Sequence, residues 1–168
     1  MKEILSTVTF KKLEEKHFQA VYDIYDYYVL NSTASFHLSC ISQEEARSIF
    51  FPPNPLHEAF VIETDDMVIG YAKYSQYKKR EGYNETAEVA IYLSSEYTGK
   101  GIGLKALEFL EKSARKNGFH VLLACICFEN KASIFLFEKA GYEKCAHYKE
   151  IGKKFGRYMD VVDYQKIF

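Results

Sequence analysis

The sequence predicts an α/β fold in which helices pack on the faces of a mixed β-sheet. Three observations lead there. Extended and helical patterns follow one another in the order β-α-α-β-β-β-α-β-α-β-β, an order that neither a helical bundle nor an all-β sandwich produces. Residues 120–128 form a nearly unbroken apolar run, the expectation for a strand covered on both faces. Residues 86–104 read as a strand, a short loop, glycines at alternate positions (Gly99, Gly101, Gly103) and then a helix-forming run.

The elements follow in chain order. Residues 7–10 make a first strand, since Thr, Val and Phe suit a pleated, half-buried surface. A helix over residues 14–30 presents Phe18, Val21, Tyr22, Tyr25, Tyr28 and Val29 at helical spacing, a buried stripe. A polar link carrying Phe36 follows. Ser42 and Glu45 form a capping box for a short helix that ends before Pro52 and Pro53. Residues 59–63 and 67–77 pair as a hairpin around Thr64-Asp65-Asp66. A strand over residues 87–93 leads to the glycines and to a helix over residues 104–116, closed by Asn117-Gly118. Asn130 caps a helix over residues 131–139. Strands over residues 142–150 and 158–167 finish the chain, with residues 151–157 between them.

Length and composition bound the function. The 168 residues suffice for one domain with a full core, taken here as residues 1–168. A formal net charge of -1 gives no global pull toward nucleic acid or acidic membranes, and no basic-aromatic stripe supports nucleic-acid binding. No window approaches the ~18–20 apolar residues of a membrane helix, and residues 1–10 lack a signal-peptide core. Four scattered cysteines make no disulfide framework, so a cytoplasmic location is expected. Cys125 and Cys127 have no His or Cys partner at zinc-like spacing, so no metal is expected and both read as buried apolar side chains.

The glycine stretch carries the chemistry. Free N–H groups at a helix start favour a phosphate, and glycines let the backbone approach it. The pattern is neither a Walker A loop nor the dinucleotide fingerprint. A purely structural turn fits the glycines alone equally well, but Glu88 on the preceding strand and Glu129-Asn130-Lys131-Ala132-Ser133 downstream favour an anionic cofactor. The basic, aromatic loop over residues 77–84 reads either as a solvated surface or as a grip for an anionic group through Lys78, Arg80 and Tyr83.

With these residues in view, the chain resembles the GCN5-related N-acetyltransferases (GNAT) over nearly its whole length. Thr98-Gly99-Lys100-Gly101-Ile102-Gly103 matches the family's Arg/Gln-x-x-Gly-x-Gly/Ala loop except at Thr98, and Asn130, Phe137 and Gly141-Tyr142 fill further family positions. Three separate stretches (residues 32–36, 86–93 and 152–160) look like the phosphinothricin and methionine sulfone acetyltransferase branch.

The resemblance implies a central mixed, mostly antiparallel, twisted sheet with helices on both faces, and acetyl-CoA as cofactor. It implies Glu88 as the base that deprotonates a small-molecule amine. Backbone groups of Ile91, Tyr92 and Leu93 would hold the pantetheine arm. Gly99, Lys100, Gly101, Ile102, Gly103 and Leu104 would hold the diphosphate, with Asn130, Ala132, Ser133 and Phe137 beside the cofactor. Phe137 stands where relatives carry a Tyr or His proton donor. Phe36, Lys78, Arg80 and Tyr83 are the expected substrate residues. A homodimer is expected, as is common in the branch. A CoA-binding sensor or scaffold, and an acetyltransferase acting on a protein or peptide amine, are the alternative functions.

Overall fold

The structure is a computed structural model that describes residues 7–168. The rest of the N-terminal stretch, read above as lacking a signal-peptide core, lies outside the described residues. Seven strands form one sheet in the order β1-β2-β3-β4-β5-β7-β6. They are β1 (Thr9–Lys12), β2 (His57–Thr64), β3 (Met67–Gln76), β4 (Thr86–Leu93), β5 (Val121–Cys127), β6 (Glu143–Lys154) and β7 (Arg157–Ile167). The helices are α1 (Phe18–Asn31), α2 (Gln43–Phe50), α3 (Ile102–Lys116) and α4 (Lys131–Lys139). Every strand pairing is antiparallel except β4 with β5.

Strand alternation sorts side chains into two cores, one per face. On β2, Ile62 faces a core built with Ile102, Ala106, Leu107 and Leu110 of α3, while Ala59 and Val61 face the opposite one. That second core is closed by Phe18, Val21, Tyr25 and Val29 of α1 and by Ala46 and Phe50 of α2. On β4, Ala87, Val89 and Leu93 belong to the α3 core, so Glu88, Ala90 and Tyr92 point toward the α1 side. Glu88 therefore lies on a sheet face that helices cover only in part.

Local signals explain most boundaries. The Ser42 side chain accepts from the Glu45 N–H at 3.1 Å, the bond expected of its capping box. Asp65 and Asp66 both have positive φ (49° and 59°), the primed turn of a two-residue hairpin. Two expectations need correction. Residues 151–154 belong to β6 rather than to a linking loop, because the reversal needs only Phe155 and Gly156, at φ 50° and 75°. The run in β5 is covered fully on one face only. Leu122, Ala124 and Ile126 enter the α3 core, whereas Leu123 and Cys125 face a cavity.

Candidate active site

The site begins where β4 and β5 part. They pair only at Thr86–Val121, Ala87–Leu122 and Glu88–Leu123. Beyond that, β5 continues against β7 to Cys127 and β4 continues against β3 to Leu93. The divergence opens a cleft of about 300 Å³, lined by residues that include Ile91, Tyr92, Asn130, Ser133 and Phe137. Past Glu88 the β4 backbone has no strand on this side, an edge able to pair with an extended ligand. The Tyr28 hydroxyl donates to the Leu93 carbonyl at 2.7 Å and anchors the far end of that edge.

At the glycines, α3 starts two residues earlier than its sequence pattern indicates. Gly101 is its N-cap at φ 82° and ψ -1°, a left-handed conformation that costs any other residue, and no side chain caps the helix. The first-turn N–H groups, those of Ile102, Gly103 and Leu104, consequently have no side-chain acceptor. Gly99 is left-handed as well (φ 70°), and a Cβ there would meet nothing within 4 Å, so the loop lies open in front of the helix. The Lys100 ammonium sits 5.1 Å from the Tyr97 ring centroid. Across the cleft, the Asn130 side chain accepts from the Ser133 N–H at 3.1 Å and so starts α4. Ala132 opens onto a neighbouring depression shared with Asn130 and Tyr28. Phe137 is buried against Tyr142, with ring centroids 5.0 Å apart.

A second cavity, of about 470 Å³, adjoins the cleft and is lined by Tyr77, Leu123, Tyr148, Gly152, Lys153 and Asp163, among others. Glu88, Phe36 and Cys125 line both spaces. Glu88 is reached by solvent from the cavity mouth, yet the surrounding walls dominate its electrostatics. Burial pushes its carboxyl above the usual range, Lys73 pulls it back, and Asp163 raises it further. Burial lowers Lys73 in turn, to about 8, against the raising influence of Glu88. Burial, with the charges of Asp163 and Glu88, pushes the Cys125 thiol up to about 12.

Phe36 is fixed from the β6–β7 hairpin. The buried Lys154 ammonium donates to the Ser35 carbonyl at 2.6 Å. The Phe36 ring lies flush on Gly152, where an added Cβ would come within 2.3 Å of its Cε1. The other expected substrate residues do not line this cavity, although Lys78 and Tyr83 pack on Tyr77, which does. Lys78 stacks over Tyr77 and Tyr83, at 4.8 and 5.7 Å, so the loop closes on its own rings. Arg80 lines a separate depression with Pro52 and Asn54.

Sequence reasoning missed Lys73, Cys125 and Asp163. The signals were present: Lys73 interrupts the apolar run of β3, and Asp163 interrupts Val161-Val162-Tyr164 in β7. A charge on an otherwise buried strand marks a place where the sheet faces something other than core. Cys125 is exposed to the cavity, contrary to the buried reading, whereas Cys127 is buried against Met159.

A sheet split between two parallel strands, with an uncapped helix start at one end of the split and an acid at the other, has the architecture of an N-acetyltransferase. The fold overlays a phosphinothricin acetyltransferase from Sinorhizobium meliloti in complex with AcCoA at a TM-score of 0.90, with 30% identity over 96% of this chain and 89% of that one. The chain is 31% identical to the L-amino acid N-acyltransferase MnaT of Escherichia coli over 84% of its length and 83% of that protein. It is 32% identical to an L-methionine sulfoximine/L-methionine sulfone acetyltransferase of Salmonella typhimurium over 84% of both chains. Residues 1–162 match the acetyltransferase (GNAT) domain, and the protein belongs to that family.

Proposed function

We propose that this protein transfers an acetyl group from acetyl-CoA to the amine of a small amino-acid-like substrate, directly and within a ternary complex. The observation that carries the reading is the position of Glu88, where the cleft and the second cavity meet. The cleft residues fit the cofactor: an open strand edge at Ile91, Tyr92 and Leu93 for an amide-rich arm, and an uncapped helix start behind Gly99 and Gly101 for a diphosphate. Bound there, acetyl-CoA supplies the activated acetyl as a thioester, whose C–S bond is exchanged for the new C–N bond.

The chain's own residues do the rest. Glu88 takes a proton from the incoming ammonium, so that a neutral amine faces the cleft. Its raised affinity for protons narrows the gap to the amine, whose ordinary pKa lies well above that of a carboxylate. Backbone groups of the β4 edge hold the reacting carbonyl in line. Phe137 offers no proton donor. The low intrinsic pKa of a thiol, about 8.5, then allows departure as thiolate. Phe36 walls the substrate side.

A homodimer and a cytoplasmic location complete the proposal. The dimer is supported by the exposed apolar side chains Tyr148, Ile151, Phe155 and Tyr158 on the β6–β7 hairpin. A thiol-release screen with acetyl-CoA against amino acids and their sulfone, sulfoximine and phosphinate analogues tests the function. Glu88→Gln is expected to lower kcat by roughly 10²–10³-fold while acetyl-CoA binding is retained. Full activity in that variant would remove Glu88 as the base. Tight acetyl-CoA binding without thiol release from any amine would turn the reading to a CoA-binding sensor.

A further inference from the structure

Asp163 is a carboxylate on the wall of the active-site cavity, and no described residue forms an ion pair with it. One of its oxygens, Oδ1, is sealed from solvent and has no hydrogen-bond partner. The charged neighbours make other contacts, although Lys153 lines the same cavity. Lys73 acts on Glu88, and the Lys153 ammonium is 5.1 Å from the Tyr158 ring centroid. His147 bonds Asp160 at 2.7 Å. What does face Asp163 is the Tyr148 hydroxyl and the Cys125 thiol, both of which its charge makes harder to ionise. Those two groups share hydrogen bonds with the half-buried carboxylate but carry no positive charge to balance it.

The register shows what the position can reach. Glu88 pairs with Leu123 and Asp163 pairs with Cys125, two residues further along β5 on the same face. Two strand spacings and two residues of rise put the backbones of Glu88 and Asp163 about 12 Å apart. Side chains from both positions reach into the one cavity between them. A ligand that meets both carboxylates has its two polar groups a few bonds apart.

We propose that Asp163 determines specificity by pairing with a second, non-reacting positive charge on the amine substrate. This rests on the acetyl-transfer reading of the same site and names the substrate class: a short diamine or a basic amino acid. One nitrogen stands at Glu88 and is acetylated. The other remains protonated on Asp163. The same carboxylate repels a phosphinate or carboxylate side chain, so anionic amino acids are the poorest substrates.

The test is kcat/KM by thiol release for 1,3-diaminopropane and 2,4-diaminobutyrate, against methionine sulfone and phosphinothricin, in the natural protein and in Asp163→Asn. The dicationic amines are expected to lead, with phosphinothricin last. Asp163→Asn is expected to lower kcat/KM for the dicationic amines by roughly tenfold to a hundredfold, through KM. The loss for methionine sulfone is much smaller, limited to what Asp163 contributes through the raised Glu88 carboxyl, and acetyl-CoA binding is retained. A uniform loss across all amines, or an order of preference that survives the substitution, overturns the assignment while acetyl transfer stands. If no amine releases thiol, the transfer reading fails. Calorimetric titration of 1,3-diaminopropane into the CoA-bound protein then decides: binding that Asp163→Asn abolishes upholds the pairing, and binding that is absent or unaltered refutes it.

Discussion

Gly152→Ala is the sharpest probe of how the cavity is shaped. Gly152 does not have a positive φ, so alanine is compatible with its backbone and the perturbation is one methyl group. That methyl would lie 2.3 Å from Phe36 Cε1, 2.7 Å from Cζ and 2.9 Å from Cδ1. Restoring an ordinary contact of 3.4 Å requires the ring to retreat by at least 3.4 - 2.3 = 1.1 Å. Overpacking of this kind costs about 1–3 kcal/mol in a closed core. Phe36 is 36% exposed and can move toward the open cavity, so about 1 kcal/mol is expected in stability. The larger effect is kinetic, because the displaced ring enters the space beside Glu88. A shift of about 1 Å in a positioning group costs on the order of 10²-fold in kcat/KM. Steady-state thiol release should show that loss for the amine, with little change for acetyl-CoA. The double variant Gly152→Ala with Phe36→Leu should recover part of it, since the two side chains then no longer collide. Unchanged amine kinetics in Gly152→Ala would refute the claim that Phe36 sets the wall, and purely additive effects would refute the direct contact.

Lys73→Met removes the charge that opposes protonation of Glu88. Only the carboxylate can act as base, so activity falls as pH drops through the raised Glu88 pKa. Without Lys73 that acid limb should move to higher pH, and an unmoved kcat/KM profile would uncouple the pair. Phe137→Tyr places a hydroxyl beside the cleft, and kcat should rise if departure of the thiolate limits turnover. An unchanged kcat would show that it does not. Arg80→Ala should leave amine KM unaltered, because Arg80 lines a different depression; a selective rise would return it to the substrate site.

Much of this architecture is legible in the sequence because it is written in local rules. Helical spacing of Phe18, Val21, Tyr25 and Val29 locates α1, and all four are buried. Ser42 and Asn130 announce the starts of α2 and α4, and both make the predicted cap bonds. Gly99, Gly101 and Gly103 announce a tight turn before a helix, and Gly99 and Gly101 supply it in left-handed conformation while Gly103 falls in the first turn of α3. Non-local relations were harder to read. The cavity around Glu88 is assembled from β4, β5, β7 and the β6–β7 hairpin, whose register no single segment encodes. Lys78, Arg80 and Tyr83 look like a recognition loop by composition, yet cation–π contacts fold Lys78 back onto neighbouring rings. Asp163 was passed over because an acid between Val162 and Tyr164 has meaning only once Cys125 and Glu88 are seen on the same face.

The parting of β4 from β5 also has a mechanical side. The sheet is two leaves, β1 to β4 and β5 to β7, joined edge to edge by three residue pairs at one end. Above that hinge no strand bridges them, and a ligand lying in the split becomes the missing crosspiece. Each backbone bond it makes to one leaf and each contact to the other adds resistance to the leaves spreading. Occupancy of the cleft should therefore stiffen the whole sheet, raising the melting temperature and slowing amide exchange in β4 and β5 together. The proposed cofactor cleft thus opens at the shortest strand pairing among the described residues, three residue pairs long.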